Sequence, residues 1–168
     1  MQNLTSLSPL YASSHFELFQ TPSKKSTKLE MHVPATLITT NVLPNTLTVL
    51  HQEAPSVLKT KCFNELHLPF IEEVKNTETA HLFEHILIDY MALEKVKAGY
   101  DKATFNAVTS WNWKKNPVGF FTIDIKAGAQ DGVFFQKALM KTIMVMEKIF
   151  AHTTVVVKDT STITQVIH

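Results

Sequence analysis

The stretch Thr77–Ala98 constrains the fold of this chain more than any other. Asn76 and Thr77 are candidate helix N-caps, Glu78 puts a carboxylate in the first turn, and Gly99 is a natural stop. Leu82, Ile86, Tyr90 and Leu93 recur at spacings of four, four and three, and Phe83, Leu87 and Met91 widen the stripe. A helix with so broad an apolar face cannot stand in water. The rest of the chain must supply a sheet and a second helix to cover it.

Candidates for both are present. Ser26–His32 mixes polar and apolar residues in a strand-like way, and Thr46–His51 (TLTVLH), set off by Pro44 and Asn45, reads as a stronger strand. Thr60–Leu68 reads as another strand, ending at Pro69. Thr104–Trp113 is β-branched and aromatic, Lys114–Pro117 is a turn, and Gly119–Lys126 alternates Phe121, Ile123 and Ile125 with Phe120, Thr122 and Asp124, so a β-hairpin is expected. A second helix is expected from about Ala129 to Phe150, with Phe135, Leu139, Ile143, Met146 and Phe150 on its apolar face and Met140 and Met144 read as core with them. The Thr/Val-rich tail after His152 reads as a last strand or edge. The order predicts an α+β fold: a mainly antiparallel sheet with two main helices packed on one face. Residues 1–26, rich in Ser, Thr, Leu and Pro, read as a weakly ordered N-terminal arm that Phe16, Leu18 and Phe19 can pin to the body. Residues 27–168 read as one domain.

Composition narrows the chemistry. The 168 residues carry a formal charge of only +1, which argues against a nucleic-acid surface. Every basic side chain outside the histidines is lysine, so no bidentate arginine clamp is available. The single cysteine, Cys62, excludes an internal disulfide and a zinc knuckle built on cysteines, and reads as a small buried hydrophobe. No run approaches the roughly 20 apolar residues of a membrane span, and no signal peptide is evident, so a soluble cytoplasmic protein is expected.

The long helix also carries His81-Leu82-Phe83-Glu84-His85, the pattern H-x-x-E-H. Two histidines four apart project from one helix face, about 6 Å apart along the axis, and can share one zinc at roughly 2.0–2.1 Å. Glu84 lies about 60° from His81 around the helix, where it flanks the metal and suits a general base acting on water. A catalytic zinc takes a third protein ligand and keeps one open position. Asp89, four residues after His85, shares the face, although about 12 Å of axis separates it from His81. Glu147 on the second helix is the main competitor, with Glu94, His67, Asp124 and Asp131 behind it. Trp111 and Trp113 flank Asn112 and would share one sheet face, as packing or as a wall for a substrate chain. Lys114 and Lys115 read as solvated turn residues.

ETAHLFEHILID resembles the zinc-binding helix of the N-terminal domain of cyanophycin synthetases, in which H-x-x-E-H is followed four residues later by an acidic residue. FNAVTSWNWKKNPVGFFTIDI is similar to that family's next segment, with Thr109 at its threonine, Pro117 and Gly119 near its turn, and Gly132 near the start of its second helix. The similarity covers roughly residues 60–150. It implies a small metallopeptidase-like domain with His81, His85 and Asp89 as zinc ligands, Glu84 as base and Thr109 at the substrate site. It also implies hydrolysis of a peptide or isopeptide bond; the family's own substrate is a polymer of aspartate with arginine branches. The chain differs in having aspartate where the family tends to have glutamate, and Ser110-Trp111-Asn112-Trp113 where it carries arginine and small residues. It does not contain the ATP-dependent ligase domains, so polymer synthesis is not expected. Pitrilysin-like proteases share only H-x-x-E-H. The expectation is a zinc-dependent hydrolase acting on a peptide or isopeptide partner, with no nucleic acid or membrane partner and homo-oligomerisation left open. The alternative is a metal-binding or protein-interaction module without turnover.

Overall fold

The computed structural model describes residues 8–21, 26–63 and 66–151. Among the described residues five strands form one antiparallel sheet: β1 (Tyr11–Ala12), β2 (Glu17–Thr21), β3 (Thr27–His32), β4 (Ala107–Ser110) and β5 (Phe120–Ile125), in the order β1-β2-β3-β5-β4. The same residues hold four α-helices: α1 (Thr46–Glu53), α2 (Phe70–Glu73), α3 (Thr79–Lys97) and α4 (Gly132–Phe150). The fold is α+β, as the sequence pattern predicts.

The pleat sorts the side chains. Leu18 pairs with Met31, Met31 with Phe121, and Leu29 with Ile123, and all are buried on the face that carries the helices. The opposite face alternates half-buried Glu30, His32, Phe120, Thr122 and Asp124. α3 and α4 pack against each other, and one apolar cluster joins both helices to the sheet. α3 is buried almost all round its first three turns, and it stops where expected, at Gly99 with φ +98°. At the end of the β4–β5 connection Gly119 has φ +95°. A Cβ there would fall 2.0 Å from the Val33 carbonyl oxygen, so only glycine admits the Val33 N–H bond to the Gly119 carbonyl.

Four expectations are corrected. Thr46–His51 is helical, not extended. Six residues of TLTVLH satisfy either period, and the winner is the packing of Leu50 into the core, with Leu47 and Val49 beside it and the Thr46 hydroxyl bonded back to the Leu43 carbonyl. Thr60–Leu68 forms no strand among its described residues: Thr60 folds its hydroxyl onto the Val57 carbonyl, and His67 takes φ +53°, which no strand ladder accommodates. The arm expected over residues 1–26 holds two strands between Tyr11 and Thr21, because Phe16 and Leu18 are buried in the core. The tail after His152 lies outside the described residues. Met140 and Met144, read as core, are exposed on α4. Among the described residues no helix is long and apolar enough to cross a membrane.

Candidate metal centre

His81, Glu84 and His85 sit in the first two turns of α3, on the side facing a cavity of about 980 Å³. The loop carrying Thr60, Phe63 and Leu66 forms one wall and β4 with Trp111 the other. The imidazoles lie with ring centroids 4.8 Å apart. Phe70, fully buried at the start of α2, stacks on His85 at 3.8 Å and meets the His81 ring edge-on at 6.1 Å, fixing both ring planes.

Hydrogen counting fixes the His85 tautomer. Thr60 spends its one hydroxyl hydrogen on the Val57 carbonyl at 2.7 Å, so its oxygen accepts from His85 Nδ1–H at 3.1 Å. Thr77 Oγ1 lies 2.8 Å from His81 Nδ1 and has Glu73 and Glu78 carboxylate oxygens, each at 3.4 Å, to take its own hydrogen. His85 therefore carries its proton on Nδ1 and presents a bare Nε2, and Thr77 holds His81 through Nδ1. Cys62 Sγ is 3.5 Å from His81 Nε2. Ligand atoms of Cys62, His81 and His85 all lie within 4.8 Å of one another, against about 3.3–3.8 Å between ligands of a tetrahedral zinc. Binding an ion would draw the three atoms about 1 Å closer together. Two imidazole nitrogens and a sulfur suit a borderline-soft ion such as zinc.

Glu84 is buried, and Thr109 Oγ1 donates to its Oε2 at 2.5 Å. Burial raises its pKa, against the opposing pulls of Thr109 and His81. Burial, then His81, pushes His85 down to about 3, so it stays neutral over the ordinary pH range. The cavity thus sets two imidazoles beside a carboxyl whose pKa burial raises.

Asp89, expected as third ligand, does not join the converging group. It lines the cavity one turn beyond His85, where Ser56 Oγ donates to its carboxylate at 2.5 Å and burial raises its pKa. Its competitors are engaged elsewhere: Glu147 by Tyr11, Ser13 and His15, Glu94 by Lys141, Asp131 by Lys95, and Asp124 by Lys28 and Lys126. Cys62 stands in the expected place of Asp89. No spacing rule links it to His81, because it arrives from a coil segment folded over the helix. Thr77, a candidate N-cap in the sequence, instead orients His81, and the N-cap position falls to Glu78. The tryptophans divide. Trp111, 44% exposed, lines the cavity, whereas Trp113 donates Nε1–H to the Phe120 carbonyl, and both pack edge-on against Phe121. Thr109, expected to touch substrate, also lines the cavity, and its hydroxyl holds Glu84. No known protein family and no curated protein matches the chain.

Proposed function

We propose that the protein is a zinc-dependent hydrolase of peptide or isopeptide bonds, with His81, His85 and Cys62 as ligands and Glu84 as general base. The observation that carries this reading is the convergence of two imidazoles and one sulfur beside a buried carboxyl in a roomy cavity. Three protein ligands would leave one position of a bound zinc open, the arrangement of catalytic rather than structural zinc. When bound, zinc supplies a Lewis acid that polarises the carbonyl and eases proton loss from water. Glu84 takes a proton from the attacking water, whose oxygen adds to the carbonyl carbon. Glu84 then gives that proton to the departing nitrogen as the C–N bond breaks, yielding an acid and an amine. Thr109 keeps the carboxylate aimed during both transfers.

The test is the turnover of a fluorogenic peptide library by zinc-loaded protein and by Glu84→Gln. The proposal expects hydrolysis that the substitution abolishes while zinc stays bound. Zinc binding with no turnover by either protein would instead favour the non-catalytic metal-binding module.

A further inference from the structure

The two edges of the sheet are treated differently. At one edge β1 is only two residues long, a common way to blunt an edge. At the other, β4 reads Ala107-Val108-Thr109-Ser110, without charge or proline, and its free side borders the cavity from Ala103 to Thr109. The Lys126 N–H bond to the Asn106 carbonyl, with the β4–β5 register, turns the backbone groups of Val108 and Ser110 toward β5. The N–H and C=O of Ala107 and Thr109 therefore face outward. The Thr109 N–H is directed at the Glu84 carboxyl. Ala107 keeps both groups without a partner among the described residues.

We infer that the free edge of β4 binds an extended peptide backbone as an added strand. One residue of the bound chain exchanges both backbone hydrogen bonds with Ala107. Pairing stops there, because the next outward N–H on β4 already serves Glu84. The following peptide unit comes level with Thr109, beside the base and the histidines. Phe105, Val108 and Trp111 flank the edge and favour apolar side chains on the bound chain. The position of the cut rests on the hydrolase reading above, whereas the docking does not.

The test uses full-length, metal-free protein and a capped pentapeptide of alternating leucine and serine, beside its analogue N-methylated at the residues that would face β4. The parent peptide is expected to bind saturably, shifting Trp111 emission and slowing hydrogen exchange at the Ala107 N–H. The methylated analogue is expected to bind about tenfold more weakly or worse. Ala107→Pro, which removes the outward N–H and spares the β5 ladder, should weaken the parent peptide equally. If that variant fails to fold, the methylated peptide still decides. Equal binding of the two peptides, full binding to a folded Ala107→Pro, or no saturable binding at all overturns the inference. So does concentration-dependent protection of Ala107 without peptide, which would mean that a second copy occupies the edge. Peptide binding in a protein that takes up no zinc would leave the docking standing and remove only the hydrolase reading.

Discussion

The cluster around Glu147 and the one around Glu84 both set histidine beside glutamate, and they differ in what surrounds the carboxylate. Around Glu147, Tyr11 donates at 2.9 Å, Ser13 at 2.7 Å and His15 Nδ1 at 2.8 Å, and the His15 ring stacks on Phe150. Burial pushes the Glu147 pKa up, but these bonds outweigh it and leave it lowered. Around Glu84 the balance runs the other way: burial prevails and the pKa is raised. There one nitrogen of each imidazole is engaged by a threonine, and both rings line the cavity. The first cluster ties β1 to α4 and is complete in itself. The second opens onto the cavity, with Cys62 beside its two rings. What separates the two His–Glu clusters is what their rings face, not their composition.

Substitutions can break that contrast. The largest effect is expected of Glu84→Gln, which should lower turnover by about 10²–10⁴-fold with zinc content unchanged, whereas Glu147→Gln should leave turnover intact. Cys62→Ala comes next: loss of a ligand should weaken zinc binding by more than about 100-fold in a competition titration with a chelator. Thr77→Val leaves His81 without its Nδ1 partner and should weaken zinc by about 10–100-fold, with the metal-free melting temperature less affected.

The pH dependence of the metal-free protein sharpens the comparison further. His85 is neutral in the fold down to about pH 3 but takes a proton below 6.5 when unfolded. Its contribution is present above pH 6.5 and is lost as pH falls from 6.5 toward 3, on the order of a few kcal/mol. Glu84 has the opposite sign, since its raised pKa costs stability as pH rises above 4.5. Glu147, with its lowered pKa, loses its contribution only as pH falls below 4.5. Denaturant melts across this range should therefore show acid destabilisation beginning near pH 6.5 that His85→Asn removes. The smallest effect is that of Glu147→Gln on stability, about 1–2 kcal/mol, from one charged acceptor shared by three donors.

The sequence made the two long helices and the β4–β5 pair legible, because their apolar periods run long enough to admit one reading. α1 was not legible: TLTVLH is too short to separate the two periods, and core packing around Leu50 decides it. The N-terminal strands hide behind a Ser/Thr/Pro-rich composition, with only Phe16 and Leu18 pointing inward. At the site, His81, Glu84 and His85 lie on one helix, where spacing is geometry. Cys62 comes from irregular chain, whose path in space no local pattern encodes. Asp89 had the right helical phase, but Ser56 takes its carboxylate. Thr77 had a ready explanation as a cap and so concealed its contact with His81.

Metal analysis of the purified protein tests the central claim most directly. After zinc loading and exhaustive buffer exchange, the account predicts one zinc per chain, lost in His85→Ala. It also predicts a sulfur-to-metal charge-transfer band in the cobalt-substituted protein that disappears in Cys62→Ala. A protein that retains no more than trace zinc, or whose cobalt spectrum is unchanged without Cys62, would contradict it.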